Sequence, residues 1–160
     1  MKIVLNTSPI IFLGKVNCLH LLAHCATDIS VPKDVKSELG DYSLPSFMRV
    51  EALSITGDAY VRGALGQLHR GELSAMVLAQ ETQADFVIQD DLLARKKAQR
   101  LGLKVMGTLG LLLLMAKSNI LTPLQVWQHI NELTGQHGMY LSPLLMEQIR
   151  QRLLNPADAK

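Results

Sequence analysis

Cysteine is scarce in this chain: Cys18 and Cys25 are the only two. They stand seven apart in what reads as one helical segment, which puts about 10.5 Å of helix axis between them. That is too far for a disulfide while the helix is intact, so a disulfide-stapled scaffold is excluded and a reducing, cytoplasmic setting is expected. Long hydrophobic runs are also missing. The most apolar stretch, 105–116, is broken by Gly107, Thr108 and Gly110 and falls short of the roughly 20 residues a membrane span needs. The N-terminus has no charged start, apolar stretch and small-residue cleavage site, so no signal peptide and no membrane partner are expected. Excess charge is lacking too: 16 Lys and Arg against 14 Asp and Glu leave a net charge of +2, which permits a nucleic-acid partner without arguing for one. Several motifs are absent. His20 and His24, four apart beside the cysteines, have leucine between them where a zinc protease has its Glu, and there is no CxxC partner. Neither a Gly-x-Ser-x-Gly elbow nor a phosphate-binding Gly-x₄-Gly-Lys-Ser/Thr loop occurs.

What is present is an ordinary globular composition, 48% hydrophobic and 19% charged, in a chain long enough for one compact domain spanning 1–160. β-prone runs at 2–5, 28–31, 86–88 and 104–106 alternate with helical patterns, and 50–55 alternates weakly. Ser8 followed by Pro9 predicts a helix start with the hydroxyl as cap and proline at the first helical position. Further helices are expected at 32–39, stopped by Gly40, at 58–65, at 72–82 with Gly71 opening it, at 91–101 and at 109–117. Two more, 123–133 and 143–154, make up the C-terminal helices from about 122 onward. Strands alternating with helices argue an α/β layer fold with a mostly parallel sheet.

Asn6, Glu38, Glu72 and Asp90 fall near where strands end and helices begin. In an open parallel sheet, ligands bind beyond the carboxyl ends of the strands, and carboxylates gathered there hold hard divalent cations for phosphodiester chemistry. Ala75 and Ala79 give the Glu72 helix small side chains beside the acid, room for metal and phosphate. The plainer reading makes Glu72 a helix-terminus acid and Asp90 a turn residue. The helix at 91–101 carries Arg95, Lys96, Lys97 and Arg100, and Lys96 and Arg100, four apart, share a face. That face suits a phosphate backbone or solvent alone, since no aromatics interleave. Gly107-Thr108-Leu109-Gly110 can offer backbone N–H groups to a phosphate or simply turn the chain.

Taken together, Asn6-Thr7-Ser8-Pro9-Ile10, Val31-Pro32, Val35, Glu38-Leu39, Gly71-Glu72, Ala75 and Leu78-Ala79 resemble the PIN domain in order and spacing. Asp85, Ile88-Gln89-Asp90-Asp91, Ala94-Arg95, Ala98, Leu101-Gly102-Leu103, Val105 and Gly107-Thr108-Leu109-Gly110 extend the resemblance over nearly the whole chain. It is nearest to a prokaryotic PIN-like subfamily of toxin-like nucleic-acid-binding proteins. The resemblance implies a three-layer α/β/α sandwich around a mostly parallel central sheet. It also implies a Mg²⁺- or Mn²⁺-dependent ribonuclease, commonly the toxin of a toxin–antitoxin pair. By resemblance, Glu38, Glu72 and Asp90 are catalytic metal ligands, with Asn6 a fourth metal position and Asp91 an understudy for Asp90. Ser8 and Thr108 lie near the same site by the same resemblance; on the residues' own reading, Arg95, Lys96 and Arg100 beside it are the candidates to meet RNA phosphates.

The departure is at Asn6, where the family pattern has aspartate immediately before Thr-Ser-Pro. An amide oxygen is a legitimate ligand for Mg²⁺ but supplies no charge, so the expectation is weakened metal binding and low nuclease activity. Two other readings stand beside this one. The chain can be a catalytically inactive PIN-fold module that docks nucleic acid or a protein. It can equally be an interaction protein whose apolar C-terminal helices meet an antitoxin or a second copy of the chain.

Overall fold

The computed structural model describes residues 1–155. Five parallel strands form one sheet in the order β3-β2-β1-β4-β5: β1 Lys2–Leu5, β2 Asp28–Pro32, β3 Met48–Glu51, β4 Phe86–Ile88 and β5 Val105–Met106. From β1 the chain winds outward through β2 to β3, then returns to lay β4 on the other side of β1. The direction of winding therefore reverses between β1 and β4, and such a reversal opens a crevice beyond the strands' carboxyl ends.

Both faces of the sheet are covered, as a parallel sheet requires. Ile3, Leu5, Ile29, Val31 and Ile88 point into the larger core. There they meet α1 (Thr7–Lys15), α6 (Thr108–Lys117), α7 (Pro123–Gln136) and α8 (Pro143–Leu154). Val4 and Val87 point the other way, onto α4 (Arg70–Glu81) and α5 (Leu92–Arg100). α3 (Ile55–Gly63) packs its Val61 outside α4 against Leu73 and Val77, and α2 (Lys33–Leu39) runs beside α4. This is the expected α/β/α sandwich. The apolar run at 105–116 divides as anticipated into β5 and the buried α6, and no helix among the described residues is long and apolar enough to cross a membrane.

Several boundaries differ from the sequence reading. α1 starts at Thr7 with Asn6 as its cap residue, not at Ser8, so Pro9 lies inside the first turn, where its missing N–H costs nothing. The segment holding the cysteines is a 3₁₀ helix, Leu19–His24, entered through Asn17 at φ +54°, with Cys18 and Cys25 at its two ends as free thiols. Burial, with Glu132 nearby, pushes the Cys18 thiol up to about 11, which keeps it protonated and unreactive. β3 begins earlier than 50 and stops at Glu51, because Ser54 caps α3 by accepting a hydrogen bond from Gly57 N at 2.9 Å. α4 begins two residues before Glu72, capped at His69, and α7 runs on to Gln136.

Candidate functional site

Beyond the carboxyl end of β1 lies a cleft of about 530 Å³, lined by Asn6, Ser8 and Thr7 from the start of α1, Glu38 from the end of α2, and His69, Arg70 and Glu72 from the start of α4. Four positions singled out from sequence, Asn6, Ser8, Glu38 and Glu72, thus share one cavity although 66 residues separate Asn6 from Glu72. Asp90 joins through Ser8, whose hydroxyl donates to Asp90 Oδ2 at 3.3 Å.

The carboxylates are held by local hydrogen bonds. Glu38 accepts from the Thr7 hydroxyl and, at 2.9 Å, from Gly71 N. A Cβ at position 71 would lie 2.5 Å from both Glu38 oxygens, so glycine is what lets that carboxylate approach the α4 N-terminus. Glu72 Oε2 accepts from His69 N at 2.9 Å, satisfying one of the helix's free donors. Burial raises the Glu72 carboxyl above its ordinary value. The His69 N–H partly opposes this, and the negative charges of Asp91 and Glu38 push it further up. Asp90 accepts from Thr108 N and from Thr108 Oγ1, both at 2.7 Å, tying β4 to α6. Asp91 caps α5, accepting from Ala94 N at 2.8 Å.

Asn6 is different. It is 5% exposed and makes no cap bond to α1, although asparagine is a favoured cap residue. Its Oδ1 is buried without a hydrogen-bond partner. Buried carbonyl oxygens are rarely left so.

The remaining sequence candidates are redistributed. Ala75 and Ala79 do not leave room beside Glu72: both are buried in the core under β1 and β4. Thr108 N is occupied by Asp90, so the Gly107–Gly110 turn does not offer that N–H to a phosphate. The basic residues of α5 divide. Lys96 and Arg100 are exposed, whereas Arg95 is half-buried, its Nη1 3.1 Å from where a Gly107 Cβ would be and on the same flank as Asp90 Oδ1. Ser8 and Thr108 direct their hydroxyl hydrogens at Asp90 and so orient it.

Three residues of this region escape the sequence reading. His69 and Arg70 line the cleft, and Arg70 is pinned by Asp34 (2.9 Å) and Asp58 (3.2 Å). Gln89 is fully buried behind it, donating from Nε2 to the Glu72 carbonyl at 2.9 Å. A glutamine closing the apolar run Phe86-Val87-Ile88 is the sequence signal that could have marked the last of these.

The donor set suits a hard dication. Asn6, Glu38 and Glu72 bring oxygen-bearing side chains to one cleft, and the charges of Glu38 and Asp91 already oppose ionisation of Glu72, a conflict that a cation relieves. No group of three His, Cys, Asp or Glu side chains is gathered to ligand distance among the described residues. A second groove of about 450 Å³, between Leu109 and Leu113 of α6 and Leu145 and Ile149 of α8, is lined by no carboxylate and offers nothing to this chemistry.

A family model described as PIN domain matches residues 2–155. No curated protein and no solved structure matches the chain. A match running from the first strand through the last C-terminal helix makes this chain a member of the PIN domain family, with the nucleic-acid-related function that membership carries.

Proposed function

We propose that this protein binds RNA and cleaves it weakly as a Mg²⁺- or Mn²⁺-dependent ribonuclease of the toxin type. The observation that carries the reading is the cleft itself: Glu38, Glu72 and the Asn6 amide converge at the point where the sheet's winding reverses. Asn6, Glu38, Glu72 and Asp90 would hold the cation, with Asp91 nearby. A cation so held polarises a phosphate and lowers the pKa of a water molecule. The chain's own residues do the rest. Ser8 and Thr108 keep Asp90 oriented, Thr7 and Gly71 keep Glu38 at the cleft, and Arg95, Lys96 and Arg100 meet the phosphate backbone. An antitoxin and a second copy of the chain are the protein partners this reading implies, and the cytoplasm is its setting.

A second reading, a PIN-fold docking module without catalysis, is favoured by one observation. Glu38, Glu72, Asp90 and Asp91 each already serve an internal hydrogen bond, and Asn6 removes a charge. Cleavage of a mixed RNA pool with Mn²⁺, against the same pool in chelator, decides between them. Slow cleavage that chelator stops supports the ribonuclease. Salt-sensitive RNA binding with no cleavage at any Mn²⁺ concentration supports the docking module.

A further inference from the structure

Gln89 is a fully buried polar side chain that the cleft chemistry leaves unused. Its Nε2 has a partner, the Glu72 carbonyl, but its Oε1 has none. Asn6 Oδ1 and Gln89 Oε1 are the buried side-chain atoms without a partner among the described residues. The sheet makes them neighbours. Leu5 pairs with Ile88, and Asn6 N continues the ladder by donating to Ile88 O at 3.1 Å, so Asn6 and Gln89 come next in the same register. Side chains alternate along strands. Val4 and Val87 face α4, so Asn6 and Gln89, two residues on, face α4 as well, as the Gln89 bond to Glu72 confirms. Two buried acceptors that follow each other's register on one face, both unpaired, are unfavourable twice over.

A half-turn of the Asn6 amide removes both faults, because Nδ2 then takes the buried position and has a hydrogen to give. We propose that Gln89 is a positioning residue for Asn6. Asn6 Nδ2 donates to Gln89 Oε1, and Gln89 Nε2 donates to the Glu72 carbonyl. This chain of amides presents Asn6 Oδ1 to the cleft. The cation-binding consequence rests on the proposed function; the amide chain does not. A carboxylate at position 6 has no hydrogen for Gln89, so Gln89 matches asparagine and not aspartate. Asn6 is then a built part of this site, held with its oxygen outward.

The test has a metal-free arm and a metal arm. In the nuclear magnetic resonance spectrum of the whole chain, one Asn6 side-chain N–H should exchange slowly with solvent and show contact with the Gln89 side chain. Gln89→Met should abolish both. Two Asn6 hydrogens exchanging at the free rate overturn the proposal. In the metal arm, Mn²⁺ is titrated calorimetrically. Gln89→Met should weaken binding about tenfold, as loss of an outer hydrogen bond to a ligand does. In an Asn6→Asp background the same change should cost nothing, since neither carboxylate oxygen needs orienting. Equal losses in both backgrounds, or none in either, overturn the proposal. Gln89→Glu keeps the acceptor for Asn6 and loses the donor to Glu72, so it should retain the slow Asn6 hydrogen and Mn²⁺ affinity. If it binds as poorly as Gln89→Met, Gln89 acts through Glu72 alone. Absence of saturable Mn²⁺ binding in every variant refutes the cation site proposed above, while the exchange measurement still decides the amide chain.

Discussion

At the scale of single residues, the site is a set of compromises between folding and binding. Glu72 is the clearest. A glutamate in the unfolded chain titrates at its ordinary 4.5, whereas burial, and then the Asp91 and Glu38 charges, raise it in the fold despite the His69 N–H. Between the two values the folded chain keeps a proton that the unfolded chain has lost. Stability therefore falls as pH rises through that interval and stays lower above it. Glu72→Gln removes the ionisation and keeps an acceptor for His69 N. It should raise Tm at pH 7, with the gain vanishing below about pH 4.5, where the unfolded glutamate is protonated too. The same variant should bind Mn²⁺ less tightly. Melting curves at pH 4 and pH 7 check the first part, and a gain that persists unchanged at pH 4 contradicts it. Gly71→Ala separates the same two properties. The new methyl meets the end of the flexible Glu38 side chain, and alanine is worth up to about 1 kcal/mol over glycine within a helix. Tm should hold or rise while Mn²⁺ affinity falls, and calorimetry beside thermal melts reads both.

At the scale of elements, local patterns marked most of the fold and the packing decided the rest. The helices at 143–154 and within 72–82 were legible because apolar residues recur at helical spacing. β3 was legible only as a weak alternation set too late at 50–55, since Arg49 and Val50 are both exposed on an edge strand. The start of α1 was misplaced because Ser8-Pro9 is a good local signal. It is overridden when β1 delivers the chain at Asn6, whose N–H still belongs to the ladder with β4. Asn6, Glu38 and Glu72, named from sequence, line one cleft that Asp90 reaches through Ser8; Ser8 and Thr108, which hold Asp90, were named with them, but the other residues that hold the group were not. Thr7, Gly71 and Gln89 act across 31 to 33 residues or, for Gln89, from strand to helix, and no local pattern reports such contacts. α5 shows the same limit. Lys96 and Arg100, read as sharing a face, are both exposed, whereas Arg95, read beside them as a phosphate contact, turns in toward Gly107. If all three meet RNA phosphates, neutralising them together should lower the log–log salt slope of binding by about 0.7 for each contact on a single strand. Filter binding across a salt series measures it, and an unchanged slope assigns the face to solvent.

At the scale of the whole molecule, the parallel sheet reverses its winding between β1 and β4, and that reversal gathers distant side chains into one cleft. The fold does this with any residue at the end of β1. In this chain that residue is an amide, so the proposed cation site carries one charge fewer at its centre than a carboxylate there would give it. Affinity for a hard dication tracks the number of charged ligands, and Mn²⁺ should support the site better than Mg²⁺ because it tolerates mixed ligands. The most direct test is calorimetric Mn²⁺ titration beside cleavage of a mixed RNA pool, for the natural chain and for Asn6→Asp, with Asp90→Asn added to the latter. Weak binding and slow cleavage are expected of the natural chain, tighter binding and faster cleavage of Asn6→Asp, and loss of cleavage when Asp90→Asn is added. Brisk cleavage by the natural chain, with Asn6→Asp changing neither quantity, would contradict the role given to Asn6.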